Sequence, residues 1–168
     1  MGSSVFPAPS SGKTRYLTTL TGGTSWTVPA GVTYVNVTLR GGGGGGTGGG
    51  AVSMLPLAIP GSVVSSIVNT TPGSNISYSI GAGGAGGAAN FGAAGTGGTT
   101  TFTGATSAPG GAGGINYSTN AVPPVGATGA AYQGAGNGGM HPYYGSFNTG
   151  PSAGGPGGSG SIDIEYWV

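Results

Sequence analysis

Two glycine-rich runs decide the fold of this chain, RGGGGGGTGGG at residues 40–50 and GAGGAGGAANFGAAGTGG at residues 81–98. In the first run Thr47 is the one residue that interrupts the glycines after Arg40. In the second run glycine recurs at every third position, in one column of Gly83, Gly86, Gly92, Gly95 and Gly98 and another of Gly81, Gly84 and Gly87. Alanine fills the third column at Ala82, Ala85 and Ala88, and Ala89 breaks the first column.

A period of three matches the polyproline-II type of helix, which has three residues per turn and no hydrogen bonds within itself. A G-G-x run in this helix has two bare faces, so neighbouring backbones can approach and supply the missing partners. The sequence therefore predicts a bundle of polyglycine-II helices, with residues 41–50, bare on all three faces, at its centre. Flexible linkers are the alternative for Gly-rich tracts, but the regular period favours helices. Collagen would need one uninterrupted G-X-Y register, which the runs do not keep.

The segments between the glycine runs have the alternating pattern of β-strands. In residues 33–39, for example, Val35, Val37 and Leu39 share one face, while polar residues occupy the other. The predicted strands cover residues 16–20, 24–28, 33–39, 51–59, 63–69, 75–80, 99–103 and 161–168, with turns at residues 29–31 and 71–73. The predicted fold class is all-β, a glycine-rich sandwich of β-strands and packed polyglycine-II helices with essentially no α-helix. Residues 1–15 are expected to form an extended arm, and residues 16–168 a single domain.

The composition excludes several classes of function. Among 168 residues there are 43 Gly and 12 Pro, while three Lys or Arg and two Asp or Glu give a formal net charge of +1. Nucleic-acid binding needs clustered cations to neutralise phosphates, which this chain lacks. The absence of cysteine removes disulfides and thiolate metal sites. No signal peptide and no membrane-inserting stretch is expected, because the longest apolar segments are short and interrupted by proline.

Four blocks of the sequence carry a resemblance to a known family. They read WTVPAGVTYVNVTLRGGGGGG, PGSNISYSIGAGGAGG, GGTTTFTGATSAPGGAGG and GGSGSIDIEYWV, and their order runs from about residue 25 to the C-terminus. In content and order they resemble the glycine-rich domain of bacteriophage tail-fibre and tail-tip proteins. The resemblance implies β-strands with packed polyglycine-II helices, at the distal end of a phage fibre, with variable loops that contact the host.

The same resemblance implies a location and partners. The expected location is the virion tail, after assembly in the host cytoplasm. The expected partners are other tail proteins, bound through the N-terminal arm, and a host surface glycan or outer-membrane protein. A homo-oligomer is expected, with a trimer favoured because fibres commonly have threefold symmetry. The alternative is a purely structural virion protein, such as a minor tail, baseplate or capsid-decoration protein; ice binding is a weaker third possibility because the alanine column is short.

Two segments, residues 115–133 and 140–152, break the glycine period and concentrate aromatic residues. Tyrosine among Gly, Ser and Asn gives a large contact area at low entropic cost, as in antibody loops. The candidate receptor-binding residues are Tyr117, Tyr132, His141, Tyr143, Tyr144 and Phe147. The alternative role for these rings is to cover the ends of the bundle or to pack at a subunit interface.

No enzymatic activity, metal or cofactor is expected. His141 is the single histidine and has no second nitrogen or sulfur ligand to share a transition metal. Asp163 and Glu165 lie two residues apart on the last predicted strand, so both project from one face. Paired carboxylates can hydrolyse glycosides, but acids on an exposed strand face more commonly solvate that face.

Overall fold

A computed structural model describes residues 12–48, 58–89, 92–114 and 153–168. The aromatic candidate residues lie outside these ranges. The described residues form seven strands: β1 (Arg15–Leu20), β2 (Ser25–Thr27), β3 (Tyr34–Arg40), β4 (Val63–Asn69), β5 (Asn75–Ser79), β6 (Thr101–Phe102) and β7 (Ser161–Trp167). All strand pairs are antiparallel, and the described residues contain no helix. The prediction of an all-β fold is confirmed.

The strands form two sheets, with the orders β1-β7-β3-β4 and β2-β5-β6. The central pair of the larger sheet joins β3 to the C-terminal strand, with Asn36 opposite Glu165. Glu165 in turn lies opposite Leu17, and Asn36 lies opposite Ile67. These four side chains therefore form one row across the outer face of the larger sheet, because side chains alternate between faces along a strand.

The inner faces of the two sheets enclose a hydrophobic core. Val35, Val37 and Leu39 of β3 are fully buried, as their shared face predicts. The other core side chains come from β7, β4, the smaller sheet and the connections: Ile162, Ile164, Val68, Ile76, Tyr78, Phe102, Val28, Val32 and Ala108. Burial of apolar side chains between two sheets is the ordinary source of stability in a β-sandwich.

Six extended segments continue from these strands and form a bundle. In chain order they are segment 1 (residues 41–48), segment 2 (58–62), segment 3 (81–89), segment 4 (92–99), segment 5 (109–114) and segment 6 (153–160). Their described backbone hydrogen bonds run between segments and recur every third residue. This is the bonding pattern of packed helices with three residues per turn, so the glycine runs are bundle elements and not linkers.

Segment 1 is the centre of the bundle. Its N–H groups take three directions in turn: Gly41 and Gly44 donate to segment 2, Gly42, Gly45 and Gly48 to segment 4, and Gly43 and Gly46 to segment 6. Its carbonyl groups accept from segment 3 and segment 5. All its residues are buried. Five described segments thus surround segment 1, as the bare run at residues 41–50 predicts.

Lateral hydrogen bonds join the five segments around segment 1 into an open ring. Segment 6 bonds to segment 3, segment 3 to segment 4, segment 4 to segment 5 and segment 5 to segment 2. Segments 1, 3 and 5 lead away from the sheets, and segments 2, 4 and 6 return to them. The order corresponds to five positions of a hexagonal ring, with segments of opposite direction alternating around it.

In segments 3 to 6 most residues with a side chain are exposed on the outside of the ring, whereas Thr47 of segment 1 is buried at its centre. A Cβ atom built on Gly45 or Gly84 would lie closer than 3.0 Å to backbone atoms of a neighbouring segment, which real Cβ atoms essentially never do. The alanines of segment 3 occupy its exposed column at Ala82, Ala85 and Ala88. The period of three therefore separates contact positions from solvent positions.

Two strand predictions differ from the structure. Of the strand predicted at residues 51–59, the described part, residues 58 and 59, belongs to segment 2 of the bundle. Its backbone bonds to Gly44 and Ala112 in the period-three pattern, which an apolar composition does not reveal. The strand predicted at residues 99–103 is limited to the two residues of β6. Thr100 instead joins the sheets to the bundle, accepting from Gly81 N–H and donating to Arg40 O.

Candidate functional site

Three connections of the chain leave and rejoin the bundle at one end. Segment 1 ends near the start of segment 4, because Gly48 N donates to Gly92 O at 3.2 Å. Gly114, the last described residue of segment 5, donates to Gly45 O at 2.9 Å, and Gly154 of segment 6 donates to Gly87 O at 2.8 Å. The segment ends farthest from the sheets are Gly48, Ala58, Ala89, Gly92, Gly114 and Ala153. We call this the loop end.

The sequence-predicted site residues all fall in one of these connections. Tyr117, Tyr132, His141, Tyr143, Tyr144 and Phe147 lie between Gly114 and Ala153, outside the described residues. The structure therefore fixes where their connection begins and ends, and both points are at the loop end. The assignment of these six residues to receptor binding stays a prediction.

Thr14 and Val168 lie at the opposite end of the molecule. Thr14 and Val168 exchange backbone hydrogen bonds of 2.8 and 3.0 Å. Arg15, which begins β1, lies opposite Trp167, which ends β7. Because β7 runs directly from segment 6, this pair marks the end of the sheets away from the bundle. The residues before Thr14 therefore leave from what we call the terminal end.

The two ends are separated by a strand and a bundle segment in series. Seven residues of β7 span roughly 23 Å at about 3.3 Å per residue. The eight residues of segment 6 add roughly 25 Å at about 3.1 Å per residue. The loop end and the terminal end are thus on the order of 45–50 Å apart.

The loop end combines connections with a rigid support. Backbone hydrogen bonds join the segments close to their ends, and close backbone contacts leave no room for the segments to slide. Binding residues in many proteins lie on loops that a rigid scaffold positions. The arrangement can thus present side chains for binding; it supplies no catalytic chemistry of its own among the described residues.

A second feature lies on the outer face of the larger sheet, where four of the five charged residues meet. Arg40 Nη1 contacts Asp163 Oδ2 at 2.5 Å, and Arg15 Nε contacts Glu165 Oε1. Both carboxylates are thus paired with a guanidinium. The predicted shared face of Asp163 and Glu165 is confirmed, and this face carries two ion pairs side by side.

The pairing changes the titration of one carboxyl group. Partial burial raises the pKa of Asp163, but hydrogen bonds from Thr19 and Arg40, with the positive charge of Arg40, lower it more. The net result is a pKa below the ordinary value of 3.8. A carboxyl group of this kind stays ionised at neutral pH, which is the opposite of what proton donation to a glycosidic oxygen requires.

A groove of about 310 Å³ runs across the same outer face. Arg15, Leu17, Asn36, Thr38, Ile67 and Glu165 contribute to its lining. Asn36 is 9% exposed, and its Nδ2 donates to Glu165 Oε2 at 3.3 Å. Its Oδ1 has no hydrogen-bond partner among the described residues. A buried polar atom without a partner costs about 1–3 kcal/mol.

Sequence reasoning missed this groove. Asn36, Thr38 and the two acids each look like solvated positions on separate strands. The signal is in the pairing of β3 with β7, which places Asn36 beside Glu165 and Thr38 beside Asp163. The alternation of apolar and polar residues identifies strands but not which strands pair. The row of Leu17, Glu165, Asn36 and Ile67 could therefore not be predicted from the sequence.

No group of three or more His, Cys, Asp or Glu that could hold a metal ion occurs in the described ranges. The same ranges contain no helix long and apolar enough to cross a membrane.

The sheets and the glycine bundle together define a class of protein: an all-β domain whose polyglycine-II helices pack through their backbones. Residues 18–160 match the family described as "Glycine-rich domain". The chain belongs to this family. The match spans the bundle, β2 to β6 and the second half of β1, and it ends just before β7. No curated protein matches the chain.

Proposed function

We propose that this chain is a bacteriophage virion protein, a tail-fibre or tail-tip module that binds the host-cell surface. In this proposal the connections at the loop end contact the receptor, and the N-terminal arm attaches the module to other tail proteins. The observation that carries the proposal is the placement of these two parts at opposite ends. Gly114 and Ala153 lie at the loop end, whereas Thr14 pairs with Val168 at the terminal end.

A module at the tip of a fibre needs this polarity. Attachment must leave the receptor-binding part pointing away from the particle, and the body between must hold its shape. The described bundle meets the second need because each segment is bonded laterally to its neighbours. The assignment to phage in particular rests on the order of the four sequence blocks that resemble tail-fibre domains.

The proposed contact surface is aromatic and uncharged. The residues between Gly114 and Ala153 include four tyrosines, one phenylalanine and one histidine, and no Lys, Arg, Asp or Glu. Tyrosine rings stack on sugar faces and fill protein pockets without a large entropic cost. The proposed receptor is therefore a surface glycan or an outer-membrane protein of the host.

The decisive experiment deletes residues 140–147 in the virus and measures adsorption to host cells. Loss of an aromatic anchor costs about 2 kcal/mol, which corresponds to roughly thirtyfold weaker binding. Adsorption should fall by at least that factor while particle yield and the amount of this protein per particle stay constant. The control is Gly22→Ala, at a site where a Cβ meets nothing within 4 Å.

Unchanged adsorption by intact particles would overturn the receptor-binding role. That result would favour the alternative of a structural virion protein without receptor contact. We further propose that the module acts as a homo-oligomer, with a trimer favoured by the symmetry of fibres. Sedimentation equilibrium of the purified chain should give three times the 15.6 kDa protomer mass, and a stable monomer would contradict this state.

A further inference from the structure

We propose that the groove on the outer face of the larger sheet binds one unit of a neutral saccharide. This site is separate from the loop end and does not rest on the proposed function. It lies between β1, β7, β3 and β4, where Leu17, Glu165, Asn36 and Ile67 form one row.

The charges of the groove favour an uncharged ligand. Arg15 is paired with Glu165, and Arg40 is paired with Asp163, so the positive and negative groups balance. An anionic ligand would meet two carboxylates, and a cationic ligand would compete with two guanidinium groups. A volume of about 310 Å³ lies at the lower end of the range for ligand pockets, which suits one sugar ring.

Asn36 gives the groove a specific requirement. Its Nδ2 is fixed toward Glu165 Oε2, because the opposite orientation of the amide would bring two oxygens together. Its Oδ1 therefore needs a donor, and no described group supplies one. A sugar hydroxyl both donates and accepts, so one hydroxyl can satisfy Asn36 Oδ1 and accept from a neighbouring donor.

The surroundings of Asn36 match the two kinds of surface on a pyranose ring. Thr38 and Ser65 form a hydroxyl pair at 3.0 Å beside the groove. Ile67 lies next to Asn36 in the row and is 58% exposed, and Leu17, at the other end of the row beside Glu165, is 63% exposed. The ring's hydroxyl rim would face the hydroxyl pair and the amide, while its C–H face would pack against Ile67.

Binding requires a small opening of the groove. Asn36 Oδ1 is out of contact with solvent in the free protein. Ile67 lies directly opposite Asn36 across the strand pair, and its exposed side chain has room to rotate. Movement of Ile67 would uncover the amide oxygen without a change in the backbone.

The experiment is an NMR titration of the full chain with methyl glycosides of glucose, galactose and mannose and with N-acetylglucosamine. At least one sugar should shift the backbone and side-chain amide signals of Asn36 and its row, with a millimolar dissociation constant. Glucose 6-phosphate and glucosamine, which carry charge, should bind more weakly. Asn36→Leu keeps the side-chain size and should weaken binding about tenfold, the value of one hydrogen bond.

Two further variants make the test independent of how well Asn36→Leu folds. Ile67→Ser changes an exposed position and should weaken binding several-fold with an unchanged melting temperature. Val63→Thr is the matched control, because Val63 is exposed on the same strand but does not line the groove. Its affinity should equal that of the unaltered chain.

Several results would overturn the proposal. One is the absence of any sugar-dependent shift at Asn36 up to tens of millimolar; another is binding that Asn36→Leu and Ile67→Ser leave intact. If the amide signals of Asn36 and its row shift with protein concentration and not with sugar, the groove is a contact surface for a second copy of the chain. Nuclear Overhauser contacts between Asn36 and residues 1–11 in the sugar-free protein would assign it to the chain's own arm.

Discussion

The bundle and the sandwich of this protein are stable for opposite reasons. In the sandwich, side chains such as Leu39 and Phe102 fill the space between two sheets, at 0% and 2% exposure. In the bundle, the space between segments is filled mainly by backbone, with Thr47 as a buried side chain of segment 1, and Gly45 and Gly84 have no room for a Cβ. Removing atoms should therefore harm the sandwich, and adding atoms should harm the bundle.

The difference also concerns hydrogen bonds. A strand of the sandwich bonds to at most two neighbours in one plane, whereas segment 1 of the bundle bonds in five described directions. Glycine loses more backbone entropy on folding than other residues. The bundle offsets this cost with a dense network of backbone bonds and a small amount of apolar side chain.

The sharpest test of the comparison is Gly45→Ala. Its Cβ would overlap Ala85 O and lie 3.0 Å from Gly84 O, and neither backbone can retreat without breaking bonds to segment 1. We expect loss of more than about 5 kcal/mol, seen as an unfolded or insoluble chain by circular dichroism and gel filtration.

Gly22→Ala is the control for this substitution, because its Cβ meets nothing within 4 Å. Its unfolding free energy should stay within about 0.5 kcal/mol of the unaltered chain. A folded Gly45→Ala protein with native stability would contradict the description of segment 1 as a sterically closed centre.

Phe102→Ala tests the other half of the comparison. Phe102 is 2% exposed, and Trp26 packs against its ring at a centroid distance of 6.4 Å. Truncation should lower the unfolding free energy by about 3–5 kcal/mol, measured by urea denaturation. A loss below about 1 kcal/mol would show that the core does not depend on this ring.

Thr100→Val tests the junction between the two halves. The hydroxyl accepts from Gly81 N at 2.9 Å and donates to Arg40 O at 2.7 Å. Valine has nearly the same shape but leaves the buried Gly81 N–H without this partner, so we expect a loss of about 2 kcal/mol. Thr100→Ser keeps the hydroxyl and should lose clearly less. A loss for Thr100→Ser as large as that for Thr100→Val would contradict the leading role of the hydroxyl.

The smallest expected effect is electrostatic and belongs to the sandwich. Because the folded state lowers the pKa of Asp163 below 3.8, its stabilisation is complete above that value and is lost as the pH falls through the folded pKa. Asp163→Asn should be less stable than the unaltered chain at pH 7 by up to about 1 kcal/mol. The difference should shrink below about pH 3.8; a difference that grows there would contradict the assignment.

Much of this fold could be predicted because glycine spacing and strand alternation are both local signals. The bare run after Arg40 identified the centre of the bundle, and the alternation of Val35, Val37 and Leu39 identified a buried face. Residues 58 and 59 could not be placed, because apolar side chains in an extended segment look alike in a strand and in a bundle helix.

The candidate sites were less predictable. Aromatic residues between Gly114 and Ala153 mark a possible contact region by composition. Their connection begins and ends at the loop end, whereas Thr14 lies at the terminal end. This arrangement depends on the directions of six segments, which only the backbone hydrogen bonds reveal. The groove at Asn36 depends on the pairing of β3 with β7, two strands from distant parts of the chain.

The central segment has a consequence for biosynthesis. Gly43 and Gly46 donate to Gly158 and Gly155, which are translated long after segment 1. Segment 1 thus cannot gain all its described neighbours until segment 6 has been made, and contacts between distant residues slow folding. We expect nascent chains to emerge with an unstructured glycine run and to fold in one late step once segment 6 has left the ribosome.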